Sequence, residues 1–274
     1  MPFMNRQTPH GVTGRTAVIT GASSGIGKAF AQRLASEGCR LVIAARRKDL
    51  LAELAEQLEA THGVKVEPLA VDLSTLQGIS RLERRIASDP HVEMLVNCAG
   101  FGTRGLYHEV APDRIEAMIT LHVLAPSRLI RAALPNMREA KKGYIINVSS
   151  IGAFLTTSRY VTYSATKAFL NMFTLGLADE CRGSGVVVQA LCPGLTRTGF
   201  MHTEEYRDFH YDKAPDFVWM TPEEVVDESL RALPHGKTIV IPGRLNRLFL
   251  GALRTPGLKQ AIGLLLRLSG GDYY

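Results

Sequence analysis

The chain is 274 residues long, 46% apolar and 21% charged, which excludes a disordered or low-complexity protein and fits one folded domain with room for a small appendage. Its net charge of +6 comes from scattered lysines and arginines; with no basic block interleaved with aromatics, a nucleic-acid-binding face is not expected. Cys39, Cys98, Cys181 and Cys192 lack C-x-x-C and metal-ligand spacing, so they read as buried small side chains and no metal is expected.

Residues 1–14 are polar, with Pro2 and Pro9, and read as a flexible leader rather than a secretory signal. The apolar run 16–20 predicts a first strand. A glycine-rich turn, Thr20-Gly21-Ala22-Ser23-Ser24-Gly25-Ile26-Gly27, leads from it into a helix over 25–37. A second buried strand is expected at 40–45, then a helix over 48–60 on the spacing of Leu50, Leu51, Leu54 and Leu58. Strands follow at 65–71 and 94–99, with a polar helix between them. A long helical region covers 113–137, with Pro126 as a kink. A strand at 143–148 precedes a loop and the helix bearing Tyr163 and Lys167, and 186–191 and 238–241 are the sixth and seventh strands. Thr221-Pro222-Glu223-Glu224 has the N-cap, first-turn proline and third-position glutamate of a capping box. No apolar run approaches the ~18 residues of a membrane span, and a reducing cytoplasm is the expected compartment.

The alternation predicts an α/β fold: a doubly wound, Rossmann-type three-layer sandwich on a mainly parallel seven-stranded sheet. Ligands of such sheets collect beyond the carboxyl ends of the strands, where strand order reverses. The glycine turn, Asp72, residues 97–100, Ser150 and residues 192–194 all fall at strand ends, so they are expected on one edge.

The spacing of Ser150, Tyr163 and Lys167 carries the chemistry. Tyr163 and Lys167 are four apart and share a helix face. A phenol titrates near ~10, and a nearby ammonium favours the phenolate and brings that value toward the working range. Ser150, thirteen positions earlier, is far enough away for a strand end and loop to return its hydroxyl to the phenol. Together the two hydroxyls polarise a carbonyl and exchange a proton with its oxygen. A hydride partner is implied by Gly21, Gly25 and Gly27, which permit a tight turn and close approach of backbone to a pyrophosphate at the helix N-terminus. The second strand ends Ala44-Ala45-Arg46-Arg47, with an alanine followed by arginines where an NAD enzyme places a carboxylate, so NADP is favoured, with Arg46 the expected contact and Arg47 a helper.

These motifs, in this order, resemble the short-chain dehydrogenase/reductase superfamily over residues 15–241. The resemblance implies that Tyr163 acts as acid/base, that Lys167 tunes it and holds the nicotinamide ribose, and that Ser150 steadies the substrate oxygen. It also implies that Ser23, Ser24 and Ile26 line the phosphate turn, that Asp72 and Leu73 seat adenine, and that Asn97, Ala99 and Gly100 line the cofactor. Pro193, Gly194 and Thr198 match the stretch beside the nicotinamide. Two positions depart from the pattern: Cys98 stands where a second asparagine is usual, and His122 aligns with the asparagine of the family's proton relay. A retained but altered relay through His122 is expected.

The segment 199–220 holds six of the chain's nineteen aromatics, Phe200, Tyr206, Phe209, Tyr211, Phe217 and Trp219. The resemblance makes it a substrate flap, and its composition suits an apolar or bulky ketone, aldehyde or alcohol. Residues 15–243 are thus read as the catalytic domain and 244–274 as a basic amphipathic extension. That extension packs on a subunit of a homodimer or homotetramer, or rests on an acidic membrane surface. The rival readings are a cofactor-binding sensor or scaffold with little turnover, and a membrane-associated lipid or 3-oxoacyl reductase. Within the superfamily the chain resembles a broad bacterial-type group of uncertain substrates, related to hydroxysteroid dehydrogenases and long-chain 3-oxoacyl reductases.

Overall fold

The computed structural model describes residues 15–155, 158–201 and 214–254; the leader, residues 255–274 and the flap aromatics Tyr206, Phe209 and Tyr211 lie outside them. Seven parallel strands stand in the order β3-β2-β1-β4-β5-β6-β7: β1 Thr16–Thr20, β2 Arg40–Ala45, β3 Val66–Ala70, β4 Val92–Asn97, β5 Gly143–Val148, β6 Val186–Leu191 and β7 Ile239–Val240. Because both faces are covered, the strands are apolar almost throughout rather than alternating. Ala17 and Ile19 of β1 point to one face and Val18 to the other.

Helices α1 (Gly25–Ser36) and α2 (Lys48–His62) cover the first face with α7 (Pro222–Ala232), through Phe30, Leu34, Leu51, Leu54, Leu58, Val226 and Leu230. Leu50, expected on the buried stripe, is exposed. The opposite face carries α3 (Leu76–Ala87), α5 (Ala125–Glu139) and α6 (Val161–Glu180), through Ile79, Leu82, Ile86, Leu129, Ile130, Met137 and Leu177. Helix α8 (Arg244–Arg254) packs on its own chain through the buried Leu250. The capping box of α7 forms as expected, with Thr221 accepting from the Glu224 N–H and the Glu224 carboxylate accepting from the Thr221 N–H.

The helix expected over 113–137 is three pieces: α4 (Pro112–Ile119), a π-helical turn (Thr120–Leu124) and α5. Pro126 explains the break. Without an N–H it cannot donate to the His122 carbonyl, and the preceding Ala125 N–H reaches back five residues to Thr120 instead. The whole stretch Pro112–Glu139 is long and apolar enough to cross a membrane by length and composition, unlike the sequence expectation. Its apolar side, Met118, Ala125, Leu129, Ile130, Ala133 and Met137, is buried.

Strand order reverses between β1 and β4, where a ligand crevice is expected. The Thr20 hydroxyl spans that point: it accepts from the Cys98 N–H at 2.9 Å and the Ala99 N–H at 3.0 Å, and donates to the Val96 carbonyl at 3.3 Å. Thr20→Val keeps the shape and strips both amides of their acceptor. Urea denaturation is expected to show a loss of about 2–3 kcal/mol, larger than for Thr75→Ala at the α3 N-cap, about 1 kcal/mol.

Candidate active site

The carboxyl ends of the strands open into one cleft of about 640 Å³. It is lined by Gly21, Ser23, Ser24, Gly25, Ile26, Arg46, Arg47, Asp72, Leu73, Ala99, Gly100, Ser150, Tyr163, Lys167, Pro193, Gly194 and Thr198. Three candidates lie behind it. Gly27 sits beneath the turn, so close that a β-carbon there would lie 2.4 Å from the Gly21 carbonyl oxygen. Asn97 is buried, donating from Nδ2 to Asn147 Oδ1 at 2.9 Å, and shares a small internal void with His122 and Lys167.

At one end of the cleft α1 begins without a side-chain cap at Ser24 and without an acidic residue in its first turn. The amides and dipole of a helix N-terminus suit an anion. Arg47 crosses this end: its guanidinium donates to Ser23 Oγ at 2.9 Å and Ser24 Oγ at 2.8 Å. The residue read from sequence as the helper is therefore the one tied to the turn, while Arg46 lines the cleft and is exposed. Asp72 lines the same end, its Oδ1 accepting from the N–H and hydroxyl of Ser74. The fit to a dinucleotide phosphate is thus chemical as well as spatial: a helix N-terminus without a side-chain cap and two guanidiniums line a cleft that also reaches Tyr163.

At the other end Ser150, Tyr163 and Lys167 come together. Ser150 Oγ accepts from the Gly152 N–H at 3.0 Å, and its hydroxyl opposes the upward shift of the Tyr163 phenol. Ser149, the competing hydroxyl, turns inward and donates to the Lys167 carbonyl at 3.0 Å. Lys167 is 6% exposed; its Nζ donates to the Val148 carbonyl at 2.9 Å and lies 5.7 Å from the Tyr163 ring centre.

His122 sits in the π-helical turn, 1% exposed. The Phe101 N–H donates to its Nε2 at 3.2 Å, so the proton is on Nδ1, which faces Thr166 Oγ1 at 3.0 Å. The Thr166 hydroxyl in turn donates a hydrogen bond to the Tyr163 carbonyl at 2.8 Å. Both ring nitrogens are therefore committed, one to the loop after β4 and one to the tyrosine helix. Phe101 and Thr166 escaped the sequence reading, because a backbone amide and a mid-helix threonine carry no motif.

Burial decides the titrations. Lys167 falls from 10.5 to about 8 through desolvation. His122 is driven well below 6.5, first by desolvation and then by the Lys167 charge. Tyr163 moves up rather than down: desolvation raises the phenol above 10, with the Ser150 hydroxyl opposing. The expected acidification by Lys167 does not prevail here, because taking a phenolate out of water costs more than the surrounding groups return.

A family model described as short chain dehydrogenase matches residues 15–208. The chain belongs to the short-chain dehydrogenase/reductase family and is an oxidoreductase of that family. It is 36% identical over 216 residues, 78% of this chain and 88% of the other, to an uncharacterized oxidoreductase of Bacillus subtilis. Among solved structures it resembles a short-chain dehydrogenase from Sphingobium yanoikuyae in complex with NADPH, with TM-score 0.80 and 33% identity, covering 90% of this chain and 94% of that one. It also resembles the bulky-bulky ketone specific alcohol dehydrogenase from Comamonas testosteroni, with TM-score 0.75 and 30% identity over 92% and 94% of the two chains.

A base whose pKa is lower folded than unfolded binds fewer protons in the folded state between the two values, so stability rises with pH across that window. For Lys167 the window runs from about 8 to 10.5, and for His122 it lies below 6.5. The buried thiols of Cys39, Cys98 and Cys192, raised from 9.0 to about 12, act in the opposite direction as pH rises toward and through 9. The lysine's share is therefore read as a difference: urea titrations are expected to show the unaltered protein gaining about 1 kcal/mol relative to Lys167→Met between about pH 7.5 and about pH 9.

Proposed function

We propose that the chain is an NADP-dependent oxidoreductase that interconverts an apolar or bulky ketone or aldehyde with its alcohol, Tyr163 exchanging the proton. The observation that carries this reading is the convergence of Ser150, Tyr163 and Lys167 at the far end of a cleft whose near end is built for phosphate. The α1 turn, Arg46, Arg47, Asp72, Ala99, Lys167 and the 193–198 loop would hold NADP, which would supply or accept the hydride. Ser150 donates a hydrogen bond to the carbonyl oxygen. Tyr163, kept protonated by burial, gives that oxygen its proton during reduction and takes it back during oxidation. Lys167 supplies positive charge beside the phenol while the proton is away.

The NADPH complex of the Sphingobium relative and the arginines at the end of β2 both favour NADP. Around Tyr163 the wall is apolar: Phe101, Ile151, Leu155, Leu195 and Phe200, the last with its ring 5.9 Å from the Tyr163 ring. Such a wall rewards carbon on both sides of the carbonyl, as the name of the Comamonas relative describes for that enzyme. On the outside, α6 exposes Phe169, Met172 (71% exposed) and Leu175, an apolar face suited to a second copy of the chain in a homo-oligomer.

With a panel of bulky ketones, steady NADPH consumption is expected, and Tyr163→Phe should lower kcat by about 10²–10⁴-fold without lowering the melting temperature. NADPH that binds but is never consumed would favour the sensor reading. Arg46→Ala and Arg47→Ala should each cut the NADPH-over-NADH preference in kcat/KM by about tenfold or more, the loss of one charged hydrogen bond. Equal use of both cofactors by the unaltered protein would remove the NADP assignment.

A further inference from the structure

We propose that Asn246, on α8, is a positioning residue that braces the cofactor-side loop after β6 from behind. The ligand in this inference rests on the dinucleotide reading; the packing does not. Pro193, Gly194, Leu195, Thr196 and Thr198 give the cleft its wall. The back of that wall is closed by the C-terminal helix. A β-carbon on Gly194 would lie 2.4 Å from Asn246 Oδ1 and 2.7 Å from Nδ2, so the amide occupies the space a side chain would take. Loop and helix fit only because one residue lacks a side chain and the other has an amide.

The amide is held in turn. Asn246 Nδ2 donates to the Pro242 carbonyl at 2.8 Å and lies 4.0 Å from Met220 Sδ. Met220 pairs with the same loop, its N–H donating to the Leu195 carbonyl at 3.0 Å and its carbonyl accepting from the Arg197 N–H at 2.9 Å. Glu228, on α7, fixes the start of α8 with both oxygens: one accepts from the Gly243 N–H at 3.1 Å and the other from Arg247 at 2.8 Å. Arg247 also donates to the Ile241 carbonyl at 2.8 Å. A run of contacts thus leads from a core helix through α8 to the back of the loop, and the front of the loop is left for the cofactor. A glycine at 194 is then required by Asn246, and not only by the approach of a ligand. Loosening the brace is expected to weaken cofactor binding and raise KM for NADPH, while kcat, set at Tyr163, changes by less than about twofold.

A double-mutant cycle tests this. NADPH dissociation constants and urea stabilities are measured for the unaltered protein, Gly194→Ala, Asn246→Ala and the pair. Gly194→Ala is expected to weaken NADPH binding about tenfold or more, and Asn246→Ala about threefold to tenfold. The pair should bind more tightly and unfold at higher urea than Gly194→Ala alone, because removing the amide makes room for the methyl. The brace is overturned if Gly194→Ala is equally damaging with and without Asn246 in both measurements. If the unaltered protein binds neither NADPH nor NADH, the dinucleotide reading fails, and the stability cycle still decides the contact.

Discussion

An ammonium buried at the carboxyl end of the sheet is the constraint around which the site is arranged. Lys167 has left water for a place where its Nζ is held by the carbonyl of Val148, the last residue of β5. Its backbone is held by the hydroxyl of the next strand-end residue, Ser149. Burying a lone cation is costly unless neighbours compensate, and its fall to about 8 expresses that cost. The position is therefore one that stability alone would not choose. On the proposed reading the cost serves chemistry, since an ammonium poorly solvated by water interacts strongly with charge that appears beside it.

That constraint fixes what His122 is able to be. Burial first, and then the neighbouring ammonium, disfavour a second cation, so the imidazole is neutral. A neutral imidazole offers one donor and one acceptor, and here the acceptor is used by Phe101 and the donor by Thr166. An asparagine amide has more bonding capacity and would leave some of it for solvent. The imidazole thus ties the loop after β4 to the helix of Tyr163. The same dryness raises the phenol rather than lowering it, so the resting tyrosine is an acid, in the protonation state that reduction of a carbonyl needs. Oxidation would begin only after that proton had been removed, and within the side chains traced here His122 offers no free nitrogen to take it.

The fold was legible because the strands are covered on both faces: five- and six-residue apolar runs separated by amphipathic helices leave little alternative to a parallel sheet. Strands 40–45, 143–148 and 186–191 fall where the apolar runs place them. Pro126 was legible as a disturbance but not as a π-helical turn, since a missing donor specifies which bond is lost and not which replaces it. Within the site, glycines, hydroxyls and charges announce themselves by spacing, and Ser150, Tyr163 and Lys167 do meet. What sequence hid was the sign of an energy difference. The Tyr163–Lys167 spacing implies proximity, which favours the phenolate, whereas the surrounding apolar packing, contributed by residues scattered along the whole chain, favours the phenol. Thr166 and Asn246 escaped for a related reason: each acts through a partner distant in sequence, His122 and Gly194, and nothing in a local pattern marks a side chain whose role is set by what the fold brings to it. Gly194 shows the point most directly. The resemblance sets it beside the nicotinamide, and the structure places the Asn246 amide of α8 where its side chain would go.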